Sequence, residues 1–171
     1  DLFALQEGEV TIRMAPLLQK HSRLIDRDGV FWNELGAIIS RDTNTIKNDT
    51  DFSYKIVYPV GAGDDDLFHH EFDIGLDWSE HQTLSFWWYG AGTGYAMEMR
   101  LYSNSLEDRR YYEFTDDFVG WKHITLSLND PIYEQGLGVN VLNSVERIAF
   151  HSTVATPDSD KIWYLAPLTR V

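Results

Sequence analysis

Thr83-Leu84-Ser85-Phe86-Trp87-Trp88-Tyr89 is the stretch that decides the fold class. Side chains of a β-strand point alternately to its two faces, so Leu84, Phe86 and Trp88 share one face and Ser85, Trp87 and Tyr89 the other. Aromatic residues at this density favour strands over helices. Ala96 to Tyr102 repeats the pattern, with Met97, Met99 and Leu101 set against Glu98, Arg100 and Tyr102. Lys122 to Leu128 repeats it again, with Ile124, Leu126 and Leu128 on one side. Ser144 to Thr153 and Asp160 to Leu165 read as two more strands, and an earlier group comprises Val10 to Met14, Gly36 to Arg41, Phe52 to Val57 and Leu67 to Ile74.

Turn chemistry punctuates these runs at Gly61-Ala62-Gly63-Asp64, Gly90-Ala91-Gly92-Thr93-Gly94, Asn129-Asp130-Pro131 and Thr156-Pro157-Asp158. Many short strands with such punctuation predict an all-β, two-sheet antiparallel sandwich or barrel. Pro16 to Asp28 reads either as a short helix with Pro at its first position or as a loop over one end of the sandwich. No repeat, low-complexity run or linker divides the chain. A length of 171 residues then predicts one domain, with residues 1–50 as its least defined part. A chain starting at Asp1 reads as a processed or excised piece.

Composition narrows the function classes. The formal charge of −13 argues against nucleic acid and against anionic membranes, since both require clustered Lys and Arg. No apolar run approaches the roughly 18–20 residues of a transmembrane helix, so no membrane insertion is expected. The absence of cysteine excludes disulfides, thiolate zinc sites and a cysteine nucleophile.

Four motifs then occur in a telling order. They are Asp77-Trp78-Ser79 leading into the Leu84-Ser85-Phe86 strand, Gly120-Trp121-Lys122-His123-Ile124-Thr125-Leu126, Leu142-Asn143-Ser144-Val145-Glu146-Arg147-Ile148-Ala149-Phe150, and Ile162-Trp163-Tyr164-Leu165. This order resembles the family 11 carbohydrate-binding modules and related galactose-binding-type jelly-roll domains, over roughly Asp51 to Val171. The resemblance implies a jelly roll with one concave, polysaccharide-binding sheet. It implies no catalysis, a structural calcium ion away from the sugar, and an extracellular or cell-surface setting as part of a larger glycan-active protein. The family's early acidic residues make Asp26 and Asp28 the calcium candidates. Here Tyr164-Leu165 runs into Ala166-Pro167, where relatives carry Asp-Asn.

Sugar rings have apolar faces edged by hydroxyls, so a glycan site needs flat aromatic side chains with polar groups between them. The strand faces opposite the expected core offer Trp87, Tyr89, Glu98, Arg100, Tyr102, Tyr111 and Glu113, with His151 and Thr153 extending the row if these strands are neighbours. The planar guanidinium of Arg100 suits paired hydrogen bonds to adjacent hydroxyls. The same residues would equally serve an interface, with an Arg100–Glu113 bridge buried against another domain or subunit. Trp88 and Trp121 are assigned to the core. The high negative charge favours a neutral polysaccharide such as a β-glucan over a polyanionic one.

Two other clusters read blandly. Asp64, Asp65 and Asp66 lack EF-hand spacing and read as a solvated acidic loop. His69 and His70 are adjacent on a strand and so face opposite sides, which disfavours a shared metal. Two rival functions remain: a structural or interaction jelly roll of a surface, filament or viral assembly, and a polysaccharide lyase or hydrolase domain. For the second, nothing in the sequence marks a carboxylate pair or a Tyr or His base.

Overall fold

The computed structural model describes residues 33–48, 50–62, 66–103, 106–136 and 140–166. The strands are β1 (Asn33–Glu34), β2 (Ile38–Asp42), β3 (Ser53–Tyr58), β4 (Asp66–Leu76), β5 (Thr83–Ala91) and β6 (Ala96–Ser103). They continue with β7 (Asp108–Thr115), β8 (Val119–Ser127), β9 (Tyr133–Gln135), β10 (Val145–Ser152) and β11 (Lys161–Leu165). A 3-10 turn at Val141–Asn143 precedes β10, and Asn140 caps it by accepting from the Leu142 amide at 3.0 Å. The expected strand at Val10 to Met14 and the Pro16 to Asp28 segment lie outside the described residues.

Two antiparallel sheets form the sandwich. One has six strands in the order β1-β4-β10-β6-β7-β9; the other has five, in the order β2-β3-β11-β5-β8. This is the expected all-β, two-sheet antiparallel architecture. Among the described residues no helix is long and apolar enough to cross a membrane.

The alternation in β5 does what its pattern predicts. Leu84, Phe86 and Trp88 are buried, while Trp87 and Tyr89 are only half-buried. Met97, Met99 and Leu101 face inward from β6, and Ile124 and Leu126 from β8. Aromatic rings weld the two sheets together. Trp88 stacks on Phe150 with centroids 5.7 Å apart, and Phe114 meets Trp88 and Phe86 edge-on at 5.4 and 5.6 Å. Such pairs add roughly 0.5–1.5 kcal/mol each beyond the area they bury. The motifs noted in the sequence also meet in space: the Trp78 amide donates to the Leu142 carbonyl, and Trp78 is buried.

The step from β5 to β6 is the topological hinge for everything that follows. Gly90 to Gly94 carries the chain from one sheet to the other instead of closing a hairpin. Gly92 and Gly94 adopt φ of +67° and +72°, a left-handed conformation that side-chain-bearing residues seldom adopt. Gly90 permits a close crossing, since a Cβ there would sit 2.4 Å from the Phe118 carbonyl. The fully buried Asp116 locks the crossing. Its carboxylate accepts from the Ala91 amide (3.1 Å), the Thr93 amide and hydroxyl (3.2 and 2.7 Å) and the Trp163 indole (2.8 Å).

Trp121 departs from its assignment to the core. It is half-buried on the outer face of the five-stranded sheet, opposite Tyr89, and its indole donates to the Ile46 carbonyl at 3.1 Å. Its position, odd-numbered against Ile124 and Leu126, already points outward.

Candidate functional site

The outer face of the six-stranded sheet gathers six of the eight expected binding residues. Cross-strand partners share a face, so the register sets out the residues in rows. One row runs His69, Ala149, Arg100, Tyr111, Tyr133 across β4, β10, β6, β7 and β9. A second runs Glu71, Arg147, Tyr102, Arg109, Gln135, and a third carries His151, Glu98 and Glu113. Four strand spacings of about 4.8 Å give each full row a length of ~19 Å.

Trp87 and Tyr89 are the exceptions. Strand β5 pairs with β8 and β11, not with β6, so both residues lie on the opposite outer surface of the sandwich. The Gly90–Gly94 crossing is the physical reason: it changes sheet, whereas a single row would have required a hairpin. Thr153 lies just past the end of β10, exposed, with its hydroxyl on the Ala96 carbonyl.

Charged groups on the six-stranded face hold the rings in place. The Arg100 guanidinium lies 4.3 Å from the centre of the Tyr111 ring, which in turn stacks on Tyr133 at 4.8 Å with planes 30° apart. Arg147 reaches the Tyr102 ring and pairs with Glu71. Arg109 donates to the Tyr111 hydroxyl at 3.3 Å and to Gln135 at 3.2 Å, and Tyr133 donates to Gln135 at 2.6 Å. Arg100 pairs with Glu98 through Nε and Nη2, both at 2.8 Å, and not with Glu113 as one expectation had it. Glu113 instead stands exposed beside Glu98.

The electrostatics follow from these pairs. The hydrogen bond from Arg147 holds the Glu71 carboxyl below its ordinary range, against the opposing effect of desolvation. Arg100 is shifted upward: burial works against its charge, and the Glu98 hydrogen bond and charge outweigh it.

Access differs along the face. His151 and Tyr102 are 4% and 8% exposed, whereas Tyr133 is 43% exposed and Glu113 is open. Tyr111, Glu113 and Tyr133, near the β9 edge, are therefore the groups presented outward; Tyr102, Arg100, Glu98 and His151 form the packed layer beside them. Sequence reasoning missed Tyr133, Arg109 and Arg147.

The histidine pair behaves as its spacing predicts, and the calcium candidates cannot be placed on this face. His70 turns inward, edge-on to Phe72 at 4.8 Å, while His69 shares the outer row with Ala149, so the two histidines diverge as their adjacency predicts. Asp26 and Asp28 lie outside the described residues, as do Asp64 and Asp65. Among the described residues no three His, Asp or Glu side chains gather as a metal site.

The family 11 carbohydrate binding domain matches residues 38–135. No curated protein matches. Solved structures share the fold. An exo-β-agarase superposes with a TM-score of 0.58 at 14% identity, over 83% of this chain and 23% of the agarase. A family 11 module from Clostridium thermocellum, solved with a β-1,3-1,4-mixed-linked tetrasaccharide, gives 0.55 at 17% identity over 83% and 89%. A family 11 module of the cellulosomal cellulase Lic26A-Cel5E from that organism gives 0.53 at 15% identity over 83% and 88%. The chain thus spans less than a quarter of the agarase but most of the isolated modules. With more than half of its length matched by the family, the chain belongs to the family 11 carbohydrate binding domains.

Proposed function

We propose that the chain is a non-catalytic module that holds a neutral polysaccharide such as a β-glucan, within a larger secreted glycan-active protein. The observation that carries this reading is the Arg100–Tyr111–Tyr133 stack on the six-stranded sheet, flanked by Arg109, Gln135 and Glu113. Tyr133, 43% exposed, offers ring surface to the apolar face of a sugar, Tyr111 backs it from between Arg100 and Tyr133, and the flanking groups offer donors and acceptors to the hydroxyls. The eight ligand-binding residues expected from sequence thus reduce to the six on this face, joined by Tyr133, Arg109 and Arg147. Glu98 and Glu113, adjacent across β6 and β7, add local repulsion to the overall charge of −13 and disfavour uronic-acid or sulfated chains. The mixed-linkage tetrasaccharide in the related module supports a β-glucan as the glycan.

A structural calcium held by Asp26 and Asp28 belongs to the same reading. A thermal melt with calcium and with chelator tests it, and identical transitions would remove it.

Affinity gel electrophoresis tests the function. Retardation is expected in mixed-linkage β-glucan and not in alginate, and Tyr111→Ala should abolish it without changing the far-UV circular dichroism. A folded sample retarded by no neutral glycan would refute the proposal.

A further inference from the structure

The opposite outer surface has a different chemistry. On the five-stranded sheet, Ile38 faces Val57, Val57 faces Ile162, and Ala91 faces Val119. Ile38, Ile162 and Val119 are 56%, 39% and 78% exposed. The adjacent row carries Lys55, Tyr164, Tyr89 and Trp121, with successive rings 5.4 Å apart and nearly perpendicular. Lys55 is the only charged residue in these two rows. A band so poor in charge, on a chain of net −13, has the composition of an interface core.

Three occupants compete. A glycan fits poorly, because β-branched aliphatic side chains offer no hydrogen bonds to hydroxyls and the perpendicular rings make no common platform. The neighbouring Trp87 ring is already capped by the Lys47 ammonium at 4.2 Å. A second copy of the chain fits poorly on area. Four strand spacings by two rows cover on the order of 300 Å², against roughly 800 Å² per partner for a stable complex of separate chains. A tethered domain needs less. Interfaces within one chain begin near 600 Å² in total, about 300 Å² a side, and a short linker holds the partners at an effective concentration in the millimolar range. The fold itself recurs as less than a quarter of the agarase chain.

We propose that this face seats a neighbouring domain of the same polypeptide, through an apolar and charge-poor surface. The proposal rests on the reading of the chain as one module of a larger protein. It leaves the six-stranded face free for sugar.

The test uses the complete encoded polypeptide and carbene footprinting at Tyr164 and Trp121. Labelling should be low in the wild type and rise several-fold in Ile162→Glu, with Val119→Glu, at a more exposed position, as the second variant. The β-glucan affinity of the other face should not move. Four results would overturn the proposal: equal labelling in wild type and both variants, protection of these residues by added β-glucan, a concentration-dependent dimer that accounts for the protection, or a polypeptide that encodes no second domain. A rise in labelling without any glucan binding would instead refute the proposed ligand and leave this interface standing.

Discussion

Replacing Asp116 should unfasten the crossing between the sheets. Its carboxylate is fully buried and receives four hydrogen bonds, one of them from the indole of the fully buried Trp163. In Asp116→Ala, the Trp163 indole loses its acceptor where water has little access, which costs roughly 1–3 kcal/mol. Thr93 and Ala91 are more exposed and can recover part of their loss from solvent, so together they add about 2 kcal/mol. The expected total is ~3–5 kcal/mol, or a melting temperature lower by roughly 6–20 °C for a chain of this size. Asp116→Asn keeps the shape but turns an amide donor toward other donors, and should lose about half as much. Urea unfolding followed by tryptophan fluorescence measures both. A loss below about 1 kcal/mol in the alanine variant would show that the carboxylate is not the clamp described.

Other outcomes follow from the same geometry. Gly90→Ala should destabilise by more than about 1 kcal/mol, because the new methyl meets the Phe118 carbonyl and the Asp116 carboxylate; a melt as high as the wild type would contradict the close crossing. Trp88→Ala should cost about 3–5 kcal/mol in urea, since it empties the aromatic weld between the sheets. Glu71 has a depressed folded-state pKa, so its pairing with Arg147 stabilises above the unfolded-state value and is lost as pH falls through the lower, folded one. The carboxylate is half exposed, so the gap in melting temperature between wild type and Glu71→Gln should be small at pH 7, from about 1 kcal/mol or less, and should close in acid. A gap that widens on acidification would reverse the sign.

The faces of the strands were legible in the sequence because period-two alternation has a simple physical cause. Leu84, Phe86 and Trp88 point inward as their spacing requires, and so do Met97, Met99 and Leu101. Alternation separates inside from outside but carries no information about which sheet a strand joins. Trp87 and Arg100 therefore looked like neighbours and lie on opposite surfaces. The glycines at 90, 92 and 94 signal a turn, and the close crossing at Gly90 with the positive φ of Gly92 and Gly94 suits a change of sheet as well as a hairpin. Trp121 shows the reverse case, since its assignment to the core ran against an alternation that points outward. Arg147 shares the outward parity that singled out His151 and was readable by the same rule. Tyr133 was not, because it sits in a three-residue strand just after Asn129-Asp130-Pro131, and only pairing with Tyr111 reveals its role.

The central claim is that a neutral glycan lies on the tyrosine–arginine face of the six-stranded sheet. Heteronuclear NMR titration with a mixed-linkage β-glucan oligosaccharide tests it most directly. Shifts should concentrate at Tyr111, Glu113 and Tyr133, leave Trp87 and Tyr89 unmoved, and weaken about tenfold or more in apparent affinity, ~1.4 kcal/mol, in Tyr133→Ala. Shifts clustered instead at Trp87, Tyr89 and Trp121, or none at all with a folded sample, would contradict the account.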